Sequence, residues 1–235
     1  MQKRAATNRS VSPTAAWLIG VLLACNTSVG RAEEPAPAES AAQPAVPTNP
    51  VRPATAASPT VEVRLHTAQG DIVLTLDPAH APVTTANFLR YVDQKRFDGA
   101  HFYRAVPIGD EGKYGLLQGG LYGTRVQTFR PVAHEAPAVT GLHHMDGAVS
   151  MARGAPGTAA SEFFIVIGDL VDLDGKDDDP GYAVFGHVES GMDVVRQLLA
   201  MPRSPDAGGA DMRGQMLVSP VKIVTALRVA VAGKE

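Results

Sequence analysis

Residues 61–231 predict a mainly β fold, a closed barrel or a sandwich, on three observations. Apolar and polar residues alternate at period two where this stretch begins, the signature of strands with one buried face. Short β-type runs recur between Gly- and Pro-rich connections, and 21 of the chain's 23 glycines fall after residue 60. That is about 12% of this stretch, against a usual ~7%. Only two segments carry a helical period, too few for the strand–helix alternation of an α/β sheet.

The elements follow in order. Val61, Val63 and Leu65 alternate with polar residues, Gln69-Gly70 makes a turn, and Ile72, Leu74 and Leu76 alternate again, which predicts a β-hairpin. Pro82 to Val92 reads as a helix, with proline at its start and Phe88, Leu89 and Val92 on one face. Short strands are predicted over His101–Val106, Gly147–Met151, Phe163–Ile167 and Ala183–Val188. Met192 to Leu199 gives the second amphipathic helix, and Pro220 to Val229 a closing strand. Phe163 and Phe164 are adjacent on a strand, so they face opposite ways. There is no internal repeat.

The first 60 of the 235 residues have another character: they hold 8 of the 18 prolines and no fold pattern. Lys3, Arg4 and Arg9 precede a short apolar run, Ala15 to Cys25. A membrane span needs about 20 apolar residues, so this run suits a secretory signal, predicted over residues 1–32. Two processing routes stay open. Gly30-Arg31-Ala32 before Glu33 suits ordinary cleavage, while Leu22-Leu23-Ala24-Cys25 resembles a bacterial lipobox, in which Cys25 would be acylated. Residues 33–60 carry seven prolines and predict an extended, disordered Pro/Ala-rich linker of reach on the order of 85 Å. The expected product is exported and periplasmic, and touches a membrane only through a lipid anchor at Cys25.

Composition excludes several functions. Beyond residue 60 there are 16 Lys/Arg against 21 Asp/Glu, without the basic excess of a nucleic-acid binder. Cys25 is the chain's single cysteine, so the 61–231 domain has no disulfide, thiol nucleophile or cysteine zinc site. The seven histidines form no HExxH, and His143 and His144, if strand-borne, point to opposite faces. The acidic run Asp172–Asp179 lacks the spacing of a calcium loop and reads as a solvated loop. No nucleophile elbow or phosphate loop is present. No metal and no cofactor is expected.

Five segments read together carry more. Phe102-Tyr103-Arg104, Gln118-Gly119-Gly120, Ser150-Met151-Ala152 through Ser161-Glu162-Phe163-Phe164-Ile165, Leu173-Asp174-Gly175-Lys176 and Val184-Phe185-Gly186 stand in this order. In order and spacing they resemble the cyclophilin family of peptidyl-prolyl isomerases, over nearly all of residues 61–229. The resemblance implies an eight-stranded antiparallel barrel capped by two helices, acting on X–Pro bonds of proline-containing polypeptides, without a cofactor and as a monomer. It implies Arg104 as the catalytic arginine, Gln118 as the glutamine that orients it, and Phe164 as the floor of the proline pocket. Leu116 and Leu173 would be apolar walls, Ala152 the small residue beside the substrate backbone, and Tyr182 the match to the usual pocket histidine.

Such chemistry explains the missing nucleophile. An amide rotates over a barrier of about 18–20 kcal/mol, and a donor aimed at the proline nitrogen stabilises the twisted state selectively. The chain also departs from the pattern. The interval between Arg104 and Gln118 is long, Gly115 stands where an aromatic is expected with Tyr114 as the candidate to fill its space, Glu162 replaces a glutamine, and Asp172 replaces an aromatic. These changes predict a thinner pocket, and they keep an alternative in view: a weakly catalytic proline-peptide-binding or chaperone module on the same fold.

Overall fold

The computed structural model describes residues 60–109 and 112–229. The expected signal segment, Cys25, the expected linker up to residue 59 and the expected domain boundary at 231 lie outside the described residues. Strands β1 (Val61–Thr67) and β2 (Gly70–Leu76) form the hairpin, and Val63, Leu65, Ile72, Leu74 and Leu76 are fully buried. Helix α1 (Pro82–Asp93) starts on its proline, and its free N–H groups at Val83 and Thr84 donate to the distant Glu135 carboxylate at 3.0 and 2.7 Å. Then come β3 (His101–Ile108), β4 (Tyr114–Gly120), the four-residue α2 (Pro137–Thr140), β5 (Ala148–Met151) and β6 (Phe163–Ile167). A 3₁₀ turn over Val171–Asp174 leads to β7 (Val184–Ser190), α3 (Met192–Leu199) and the long β8 (Met216–Arg228).

Among the described residues, eight strands close into one antiparallel barrel in the order β1-β2-β7-β5-β6-β4-β3-β8. Closure satisfies every edge, which a chain of short strands otherwise leaves open. Inside lies an aromatic cluster: the Phe88 ring is 5.0 Å from Phe97, 5.2 Å from Phe185 and 5.3 Å edge-on to Phe163. Buried phenylalanines of this kind each cost about 3–5 kcal/mol to truncate. Helix α1 packs on β7 and β8, and α3 packs on β2, β3 and β4 through Val194, Val195, Leu198 and Leu199.

Three details differ from the expectation. Strand β4 has no alternating signature, because three of its seven residues (YGLLQGG) are glycine. Strand β8 begins four residues earlier than Pro220, with an irregular register against β3 between Phe102 and Arg104 that lets Phe102 and Tyr103 both be buried. The short helix α2 joins the two expected ones.

Candidate active site

Register assembles the site. Arg104 on β3 pairs with Gln118 on β4, Gln118 pairs with Phe164 on β6, and Phe164 pairs with Ser150 on β5. Directly paired residues share a face of the sheet, so four strands deliver one row, Arg104–Gln118–Phe164–Ser150, to the outside of the barrel. Their neighbours Leu117 and Phe163 point into the core. Leu116, two residues before Gln118, joins the outer face.

Above this row is a cleft of about 580 Å³, and all seven residues singled out in the sequence line it: Arg104, Leu116, Gln118, Ala152, Phe164, Leu173 and Tyr182. Phe164 lies at its base, only 3% exposed, with Tyr182 edge-on at 5.5 Å. Leu116, Ala152, Leu173 and Tyr182 pack around Phe164 in an apolar cluster separate from the barrel core. Arg104 stands at the polar side. Its Nη1 donates to Gln118 Oε1 and its Nε to Gln215 Oε1, both at 2.7 Å. Burial pulls the guanidinium below its ordinary pKa, but arginine has so much margin that it stays charged. A fixed cation therefore faces a small apolar bowl.

A model of the cyclophilin-type peptidyl-prolyl cis-trans isomerases matches residues 61–226, which is most of the chain. The chain belongs to this family. It is similar to peptidyl-prolyl cis-trans isomerase A of Dickeya dadantii, with 38% identity over 62% of this chain and 75% of that one. It also resembles a peptidyl-prolyl cis-trans isomerase of Streptomyces antibioticus, with 36% identity over 66% of this chain and 93% of the relative. In shape it matches a cyclophilin-type isomerase of Cryptosporidium parvum, with a TM-score of 0.57 and 22% identity, covering 73% of this chain and 98% of that one. A second crystal structure of the same protein, obtained with the dipeptide Ala-Pro, has a TM-score of 0.58, 21% identity and coverages of 72% and 99%. These two establish the cyclophilin fold.

The departures from the family pattern fall in unexpected places. A side chain at Gly115 would meet the Val106 carbonyl at 2.5 Å and Leu199 at 3.2 Å, so this position faces β3 and α3 and does not line the cleft. Tyr114 does not fill the pocket either: its ring packs over Gly168 in a different cleft, with Pro107, Lys113 and Arg203. Asp172 is exposed and pairs with Lys176 at 2.6 Å. Glu162, by contrast, does border the cleft, and Tyr182 supplies an aromatic wall.

The acidic run is more than a solvated loop. Asp174 accepts from both His143 Nδ1 (2.8 Å) and His144 Nδ1 (2.6 Å), and from the His144 backbone N–H (3.0 Å). The two histidines lie on a loop, not a strand, so alternation does not separate them. His144 is fully buried, stacked 5.9 Å from Phe164 at an interplanar angle of 11°. Because its Nδ1 donates to the carboxylate, its Nε2 accepts from the Ser150 hydroxyl at 3.0 Å. Burial pushes His144 below the ordinary imidazole pKa, so the ring is neutral. Burial also opposes ionisation of Asp174, but bonds from His144 and His143 outweigh it and hold the carboxyl below its usual range. The neutral imidazole thus backs the pocket floor, while Asp174 ties down the turn that presents Leu173. On the other side, Arg153 lies 4.8 Å over the Tyr182 ring and pairs with Asp179 at 2.7 Å.

Gln215 carried no signal in the sequence. It sits 111 residues from Arg104, just before β8, and is placed by its carbonyl accepting the Ala105 N–H at 2.9 Å. His144 and Tyr103 were visible only as a scattered histidine and as part of a motif.

Proposed function

We propose that this chain isomerises X–Pro peptide bonds of exported proteins and thereby assists their folding, with no cofactor. The observation that supports it is Arg104, clamped by two carbonyl oxygens at the rim of the Phe164 bowl. A proline ring seated on Phe164 brings its nitrogen toward the guanidinium. As the amide twists, resonance is lost and a lone pair localises on that nitrogen. Arg104 has N–H groups left to donate to it, and this interaction strengthens only as the bond rotates. Leu116, Leu173 and Tyr182 exclude water and grip the ring; Ala152 leaves room for the substrate backbone. No proton or electron is exchanged, so a permanently charged donor suffices.

Export is supported by Lys3, Arg4 and Arg9 ahead of the apolar run, and by the Pro-rich stretch that separates it from the barrel. The alternative, a binding module with little catalysis, draws on the replaced aromatics at Gly115 and Asp172, neither of which lines the cleft. Following cis–trans relaxation of a proline peptide with the wild type and with Arg104→Ala tests the proposal. A strong acceleration lost in the variant is expected. Equal rates would sink the mechanism, and binding without acceleration would favour the alternative. Mass spectrometry of the mature N-terminus separates an acylated Cys25 from a free Glu33.

A further inference from the structure

Behind Arg104 runs a chain of hydrogen bonds that ends on a carboxylate. Gln118 Nε2 donates to the Tyr103 hydroxyl oxygen at 2.7 Å, and the Tyr103 hydroxyl donates to Glu162 Oε2 at 2.7 Å. The other carboxylate oxygen, Glu162 Oε1, accepts from the Leu121 N–H and the Ser161 hydroxyl, both at 2.9 Å. Gln118 and Tyr103 are buried, so neither has water as an easy substitute partner. We propose that Glu162 and Tyr103 are positioning residues for catalysis, whose carboxylate-to-phenol pair dictates which end of the Gln118 amide faces Arg104.

The reason lies in hydrogen-bond polarity. An ionised carboxylate can only accept, so the single Tyr103 proton must point to Glu162. The phenol oxygen is then free only to accept, and it takes the Gln118 NH₂. That leaves Gln118 Oε1, the acceptor end, facing Arg104 Nη1. Burial, and then the neighbouring Glu162 charge, push the Tyr103 phenol above its ordinary pKa, so the proton stays on it. Room for the carboxylate is made by Gly120: a side chain there would start 2.5 Å from Glu162 Oε2.

Glu162→Gln reverses the chain at nearly constant volume. The fixed Leu121 N–H needs an acceptor, so the new amide oxygen faces it and the new NH₂ faces Tyr103. Tyr103 must then accept from residue 162 and donate toward Gln118, which turns its own NH₂ toward Arg104, donor against donor. The guanidinium loses one of its two clamps.

This inference rests on the isomerase reading above, and one set of variants separates the two. With the full chain and a Xaa–Pro peptide, Glu162→Gln and Tyr103→Phe should each lower kcat about 3- to 10-fold, the worth of one hydrogen bond. KM should move less than about twofold by the same reasoning, since Arg104 acts in the twisted state. The double variant should be no slower than Tyr103→Phe alone, because the chain is already cut. Wild-type kcat in Glu162→Gln, or losses that multiply in the double variant, would overturn the inference. The Gln118 side-chain NH₂ resonances give a readout independent of turnover: they should shift or broaden in Glu162→Gln while the backbone spectrum stays in place, and unchanged resonances would overturn it. A wild type that does not isomerise refutes the functional reading instead, and the Gln118 resonances still decide the chain.

Discussion

Arg104→Lys is the sharpest test of how the site works, because it keeps the charge and removes the geometry. Arginine presents five N–H groups in a rigid plane. Two of them are used at 2.7 Å, one on Gln118 and one on Gln215, and three remain to face the cleft. A lysine has three donors on one freely rotating nitrogen, and cannot hold both glutamines and still aim at a proline nitrogen. Losing a preorganised donor of this type costs about 10²–10³ in rate, or about 2.7–4 kcal/mol, from a barrier of about 18–20 kcal/mol. Arg104→Lys should therefore lower kcat/KM at least about 100-fold, close to the loss in Arg104→Ala, since an unaimed charge supplies little of the term. The assay is cis–trans exchange of a Xaa–Pro peptide followed by NMR, with thermal melts run beside it to establish that the barrel is intact. A lysine variant that keeps a third or more of wild-type kcat/KM would show that charge alone suffices, and would refute the clamp.

Gln215→Ala removes the second clamp and should lower kcat about 3- to 10-fold at nearly unchanged KM; a change confined to KM in the same assay would assign Gln215 to substrate binding instead. Gly181→Ala should destabilise the fold by at least about 1–2 kcal/mol. Gly181 has φ +71° and the new Cβ would press on the Asp174 backbone and lie 2.6 Å from the Leu173 carbonyl; denaturant unfolding measures it, and a weaker grip on proline peptides should accompany it. Stability should also depend on pH through His144. Its folded pKa is lowered from 6.5, so the unfolded chain binds a proton that the folded chain refuses, and stability is full above about 6.5 and declines as the pH falls below it. Asp174, lowered from 3.8, adds a loss of the same sign at more acidic pH. Melting temperatures between pH 5 and 8 should show this slope in the wild type and a shallower one in His144→Asn; identical slopes would remove His144 as the cause.

How much of this was legible beforehand depends on the range of each interaction. The β1–β2 hairpin, both long helices and the inward–outward split of Phe163 and Phe164 were all readable, because a strand's period of two and a helix's 3.6 are properties of neighbouring residues. Strand β4 was not, since glycines at 115, 119 and 120 erase the alternation while the strand is held by its partners β3 and β6. The site residues Arg104, Gln118 and Phe164 could be picked out by resemblance, but the expected cost of Gly115 and Asp172 to the pocket could not be judged from spacing. One faces α3 and β3; the other pairs with Lys176 in solvent.

By itself, the sequence determined that residues 61 onward form a mainly β domain without thiol chemistry, and it marked the row of residues that would carry a proline site. The tertiary structure decided what surrounds that row: Gln215 from the turn just before β8, the His144–Asp174 pair behind Phe164, and the direction of the hydrogen bonds from Glu162 to Arg104. The physical reason is that periodicity is encoded between near neighbours, whereas hydrogen-bond polarity exists only once distant donors and acceptors have been brought to 2.7 Å and cut off from water.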